Sequence, residues 1–323
     1  MIRFFEGSEA EYAAVVTLYN NVWPDERQFG IEQWRENDDE WPAGMLNQRF
    51  VAEADNRIVG MGDCFEKYWK HQEGTIHIAF HVQPDYEGEN VEQRLYEAML
   101  DFIGRERPDF KIVATEARED RVGRVQFLQE RGFEPVMRSP KAVFDVTRFD
   151  ETAYQRLFSQ LAGEGIHIYT LGELYEREPN WKQKLHALRW ALIQDVPSVE
   201  PPTPVSLAEF ERMILDDPAL DERGWFVAVN EAKQFVGMSN VWVNDPTYER
   251  LDTGLTGVIR GYRRRGIATA LKVCTIRFGR ELGARFIETA NEENNRMYDL
   301  NLRLGFRPRA AWISYYLHRK NIL

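Results

Sequence analysis

Residues Val258 to Leu271 read VIRGYRRRGIATAL. An apolar strand runs out at Val258, an Arg/Gly segment follows, and an amphipathic helix begins at once. Ile267, Leu271, Cys274, Phe278 and Leu282 recur at spacings of three and four and mark one apolar helical face. A helix start presents N–H groups with no acceptor in the preceding turn, together with partial positive charge, and both hold phosphate oxygens. Gly266 lets the backbone come close and Ala268 keeps the first turn small. Arg263, Arg264 and Arg265 add fixed positive charge. The plainer reading of the same residues is a solvated arginine cluster at a helix start.

Working outward, the segment belongs to a repeat. FVAEADNRIVGMGD from Phe50 aligns with FVAVNEAKQFVGMSN from Phe226, and each reads as a β-hairpin. IHIAFHVQPDYEGEN from Ile76 aligns with DTGLTGVIRGYRRRG from Asp252, and FLQERGFEPV from Phe127 with LNLRLGFRPR from Leu300. The offsets of 177, 176 and 173 residues drift so little that only loop changes separate the copies. Each copy reads as α, β, β, β, α, β, α, β. In the second, the helices are Trp181 to Ile193, the one opening at Ile267, and Asn294 to Arg303; Arg285 to Thr289 and Trp312 to His318 are strands. SVEPPTP, 198 to 204, is a loop inside the second copy. A helix ending at Gly163 and Gly165 separates the copies. The expected organisation is 1–150 as one domain, 151–165 as a linker helix and 166–323 as the second domain.

Composition agrees with two folded α/β domains. The 323 residues are twice a common domain length, 43% are hydrophobic, and nineteen Phe with nine Trp supply two cores. No run approaches the roughly 20 apolar residues of a membrane helix, and MIRFFEGSEAEY lacks the order of a secretory signal, so a cytoplasmic protein is expected. Cys64 and Cys274 have no metal-ligand spacing around them and no metal is expected. The net charge of −11 argues against a nucleic-acid surface and suits a cationic amine substrate.

With strand before, helix after and Leu-Gly-Phe later, Arg263-Arg264-Arg265-Gly266-Ile267-Ala268 resembles the acetyl-CoA loop of the GNAT N-acetyltransferases, in a tandem arrangement similar to the double-domain members of that family. The resemblance implies two domains. Each has a mixed, mostly antiparallel sheet in which two parallel strands splay into a V, with helices on both faces. It also implies an acetyl group moved from acetyl-CoA to a primary amine of a small molecule by direct attack in a ternary complex, in a monomer or homodimer with neither nucleic acid nor membrane as partner. The diphosphate is expected on Arg263, Arg264, Arg265, Gly266, Ile267, Ala268 and Thr269, and the pantetheine amides on the backbone of Val258 and Ile259. Asn294, Met297 and Asn301, at helical spacing, are expected to line the channel.

Four residues before the later Gly, many family members place a Tyr that protonates the leaving thiolate; this chain has Asn301, and an amide is no acid. Tyr298 is the substitute candidate, set against a packing role. For a general base, Glu249, Asp252, Glu288 and His318 are candidates. Trp190, Trp242 and Tyr248 are candidates for an aromatic acceptor wall.

The first copy carries Glu87-Gly88-Glu89-Asn90-Val91-Glu92 at the loop position, and Arg121 and Leu128 where the second has Asn294 and Asn301. Acids there repel a diphosphate, so one cofactor per chain is expected, in the second copy. Two other classes stay open: a regulatory protein that binds acetyl-CoA without turnover, and a transferase with another donor such as an aminoacyl-tRNA.

Overall fold

The two related hairpins are the centre of each half. β2 (Asn47–Ala54) pairs antiparallel with β3 (Arg57–Phe65) through a two-residue turn in which Asp55 and Asn56 both hold positive φ, the turn chemistry that a tight hairpin requires. β8 (Leu220–Asn230) pairs in the same way with β9 (Phe235–Trp242). The computed structural model describes every residue except 27, 87, 88, 246 and 323.

The first compact unit comprises Met1–Met137, Val199–Thr203 and Ile313–Leu323. Its sheet runs β1 (Ile2–Phe4), β2, β3, β4 (Thr75–Val82), β5 (Ile112–Arg118) and then the end of β12 (Arg307–His318). The β4–β5 contact is parallel and the pairs β1–β2, β2–β3 and β3–β4 are antiparallel. The helices are α1 (Glu9–Val22), α2 (Ile31–Asp39), α3 (Val91–Glu106) and α4 (Val122–Glu130). Ile76, Ile78, Leu95, Met99, Val113, Tyr315 and Leu317 share one core.

The second unit comprises Arg138–Ser198 and Pro204–Trp312. Its sheet runs from the larger part of β6 (Glu134–Asp145) through β11 (Phe286–Ala290), β10 (Arg250–Val258), β9 and β8 to β7 (Ile166–Thr170). Only β10–β11 is parallel among the pairs from β6 to β7. Helices cover both faces. α9 (Ile267–Leu282) packs Ile267 and Leu271 on Val258, while a Cβ at the next residue back, Gly257, would meet Leu192 of α7 (Trp181–Ile193) at 3.0 Å. The other helices are α5 (Gln155–Gly163), α6 (Leu171–Arg177), α8 (Leu207–Phe210) and α10 (Arg296–Leu304).

The compact units do not follow the chain-order division at 150 and 166. Strand β6 closes the chain's first copy in sequence, yet Ala142, Phe144 and Val146 are buried in the second unit's core, and β12 supplies Tyr315 and Leu317 to the first. The 199–203 segment, expected as a loop of the second copy, also lies in the first unit, where Glu200 accepts from Tyr316 at 3.2 Å and Thr203 from the His71 N–H at 2.9 Å. Each copy further opens with a short edge strand, β1 or β7, before its first helix. At three and five residues these strands are too short to show a period.

Candidate cofactor site

β10 and β11 pair from Arg250↔Phe286 to Asp252↔Glu288 and no further, although β10 continues to Val258. Beyond that point the parallel strands part. On its other side β10 stays bonded to β9, with a register shift between Thr253 and Thr256. Asn240 fills that bulge: its Oδ1 accepts from the Leu255 N–H at 2.9 Å, and a Cβ on Gly254 would stand 2.4 Å from its side chain. The Asn240 Nδ2 is buried with no hydrogen-bond partner among the described residues.

The strand leads through Arg260–Tyr262 to Gly266, the left-handed N-cap of α9, at φ 82°. Among the described residues no side chain caps this helix, nor α2, α3, α4, α5 or α7, whereas Ser8, Thr170 and Ser206 close capping boxes on α1, α6 and α8. The first-turn N–H groups of Ile267, Ala268 and Thr269 are therefore left for an outside acceptor. Gly266 has a second reason to be glycine, since a Cβ there would meet Leu157 at 2.5 Å.

The three arginines divide. Arg263 Nε donates to the Val258 carbonyl at 2.9 Å and its guanidinium pairs with Asp195, which Arg260 also holds at 2.7 Å. Arg260 and Arg263 keep Asp195 below the usual carboxylate range. Arg265 pairs with Glu164 at 2.6 Å. Arg264, exposed and at φ 65°, engages no carboxylate among the described residues. Much of the expected charge is thus internally balanced, which leaves Arg264 and the bare helix start without such a carboxylate among the described residues. The Ile259 N–H is committed to Val236 at 2.9 Å, so Val258, whose backbone alternates to the other side of β10, is the one of the pair with an N–H on the splay.

The later helix begins two residues after the expected start. Asn295 is its N-cap, accepting from the Met297 N–H at 2.9 Å. Asn294 precedes the helix, is exposed, and donates to Glu292 at 2.8 Å, so it does not share a helical face with Met297 and Asn301. The signal for either reading is an Asn before an apolar run, and two adjacent Asn residues leave the choice to backbone geometry. Asn301 is enclosed: its Nδ2 donates to Asn291 at 2.7 Å, and its Oδ1 is buried without a partner. Tyr298 packs against the core formed by Ile276, Leu300 and Phe306.

Of the candidate bases, Glu249 is exposed, Asp252 accepts from Asn244 at 3.0 Å, Glu288 is paired with Arg250 at 2.7 Å, and His318 belongs to the first unit. Trp242 meets the buried Trp225 edge to face at 6.0 Å, while Tyr248 is exposed. Trp225, with an unpartnered Nε1, Asn240 and Lys272 are polar groups of this unit that carry no local sequence signal.

The first unit keeps the frame without the cradle. Asn90 is the left-handed N-cap of α3 at φ 59°, and α3, like α9, is sixteen residues long. Glu92 pairs with Arg124, whose guanidinium lies 3.7 Å from the Phe80 ring centroid and donates to the Phe80 carbonyl at 2.9 Å. Arg121 instead donates to the Val22 carbonyl at 2.8 Å, and Leu128 is core. Positions 87 and 88 lie outside the described residues.

The model of the acetyltransferase (GNAT) family matches residues 14–133 and again 185–306. The chain belongs to that family. No curated protein matches the sequence. Among solved structures, the fold is similar to a tandem GNAT protein from the clavulanic acid biosynthesis pathway (TM-score 0.74, 17% identity, 98% of each chain covered). It is similar too to a GCN5-related N-acetyltransferase from Sphaerobacter thermophilus (TM-score 0.71, 16% identity, 98% of this chain and 95% of that one). An acetyltransferase of the GNAT family from Colwellia psychrerythraea follows at TM-score 0.61 and 12% identity, with 98% and 99% covered. Among the described residues no helix of this GNAT protein is long and apolar enough to cross a membrane.

Proposed function

We propose that this GNAT protein transfers an acetyl group from acetyl-CoA to the primary amine of a small molecule, with one cofactor site, in the second unit. The observation that carries the reading is the uncapped start of α9 at left-handed Gly266, reached directly from a strand that has just parted from its parallel neighbour. The N–H groups of Ile267, Ala268 and Thr269 with Arg264 would hold the diphosphate, and the free edge of β10 near Val258 the pantetheine amides. Met297 and Asn301, one turn apart on α10, would form the opposite wall.

Acetyl-CoA supplies an acyl group already activated as a thioester. The chain then has to orient it against a neutral amine, offer a donor to the carbonyl oxygen and exclude water. The unpartnered Asn240 Nδ2 at the bulge is a donor of that kind. The net charge of −11 favours a cationic acceptor over a nucleic acid and aids solubility.

Two measurements test the proposal together. Titration with CoA is expected to give tight binding, and a panel of small amines with acetyl-CoA is expected to release thiol for at least one class. CoA binding with no thiol release for any amine would support the regulatory reading; no CoA binding would overturn the site.

A further inference from the structure

Lys272 lies on α9 with 1% of its surface exposed. Its Nζ is 3.3 Å from Thr253 Oγ1 and 4.9 Å from the centre of the Phe306 ring. Thr253 is the first residue of β10 beyond the last β10–β11 pair, so the amine sits where the two strands part. Phe306 also ties this spot to Asn301, to whose carbonyl its N–H donates at 3.0 Å, and Asn301 Oδ1 is the buried acceptor with no partner. The Lys272 amine thus lies between Thr253, where the strands part, and the Phe306 ring, whose backbone is bonded to that of Asn301.

A buried ammonium without a carboxylate is a poor choice for packing alone, because a Met of similar length fills the space without the desolvation cost. The first copy shows that choice in another form. With the helix N-caps Asn90 and Gly266 superposed along the sequence, Lys272 corresponds to Tyr96, which packs on Phe133, the counterpart of Phe306. The copy that carries the arginine run before its helix keeps the amine, and the copy without that run has an aromatic ring in its place.

Resting on the acyl-transfer reading above, we propose that Lys272 is the catalytic proton donor to the leaving sulfur, in place of the phenol that Asn301 replaces. The amine nitrogen of the acceptor bonds to the acyl carbon, and the carbon–sulfur bond breaks with its electron pair going to sulfur. Lys272 Nζ passes one proton to that sulfur, giving the free thiol, and the neutral lysine is reprotonated by the proton that the acylated nitrogen sheds through solvent. Burial pushes the Lys272 pKa down to about 7, below the roughly 8.5 of an alkyl thiol, so the transfer runs downhill.

The binding test uses CoA and desulfo-CoA, which differ only at sulfur. Wild-type protein is expected to prefer CoA by up to about tenfold, the worth of one hydrogen bond between neutral groups, and Lys272→Met to bind both alike. A wild-type ratio near one, measured without any variant, overturns the proposal, as does a preference that persists in Lys272→Met. Failure of wild type to bind either ligand would instead sink the underlying site. With the best amine of the panel, Lys272→Met and Lys272→Gln are expected to lose about 100-fold in kcat with acetyl-CoA and far less with an aryl thioester, whose leaving group needs no proton. Equal losses on both donors would mark Lys272 as structural.

Discussion

Arg124 donates to the carbonyl of Phe80 at 2.9 Å and lies over the same residue's ring. Phe80 is on β4 beyond the last β4–β5 pair, His77↔Ala114, so the guanidinium occupies the edge of the first unit's own splay. A cofactor amide would have to displace it, and Glu92, on the first turn of α3, holds it in place. Calorimetric titration of the whole chain with CoA is expected to give a stoichiometry near one. A value of two would show that the first unit binds despite this plug.

Gly266→Asn keeps the left-handed backbone and adds a side chain at the helix start. Asn tolerates the left-handed region, as Asn90 does in the first copy, so the fold is expected to survive at a cost of about 1 kcal/mol for the backbone and about 1–3 kcal/mol more for the shift of the Leu157 side-chain end that a Cβ forces. The side chain would nevertheless stand over the helix start, and CoA affinity is expected to drop by at least about tenfold, one charge-assisted contact. Unchanged affinity in a folded Gly266→Asn protein would move the diphosphate elsewhere.

Tyr298→Phe is expected to leave kcat within about twofold of wild type. The ring packs into the core with Leu300 and Phe306, and the substitution retains that packing. A fall of a hundredfold with KM unchanged would restore Tyr298 as the acid and remove the role given to Lys272.

A fragment spanning 166–323 is expected not to fold. It lacks β6, whose Phe144 pairs with Ile287 and whose Ala142 and Phe144 are buried beside Ile276 and Leu304. It also carries Tyr315 and Leu317, which are core residues of the other unit. Losing two or three buried side chains costs several kcal/mol, comparable with the whole stability of a domain. Circular dichroism showing a cooperative transition in this fragment would contradict the strand exchange.

What the sequence exposed and what it hid divide along physical lines. The hairpins, the helix from Ile267 and the Arg-Gly turn are local: period, turn residues and a helix start are written in neighbouring positions. The exchange of β6 and β12 is not, because each strand has the same alternation whichever sheet it enters. Lys272 was hidden for a related reason. In IATALKVCTIRF a lysine is an ordinary helix former, and only the packing of β10 and Phe306 around it turns it into a buried amine. Asp195 and Glu164 were equally invisible as partners of the arginines, since they lie 68 and 101 residues away.

The same lysine gives the folded state a pH dependence whose sign is fixed. Its pKa falls from 10.5 in the unfolded chain to about 7 in the folded one, with burial as the cause. Below pH 7 both states hold the proton and this group contributes no slope. Between about 7 and 10.5 the unfolded state binds a proton that the folded state does not, so stability rises with pH, by up to about 1.4 kcal/mol per unit. Above that window both states are neutral and the slope vanishes again. Denaturant titrations of wild type and Lys272→Met at pH 6.5, 8 and 9.5, chosen to bracket about one pKa step each, isolate the term, since all other groups are shared. The wild type is expected to gain on the variant by a few kcal/mol across the series. Parallel curves would mean that the amine stays charged in the folded protein, either through water or through a partner that burial alone does not reveal.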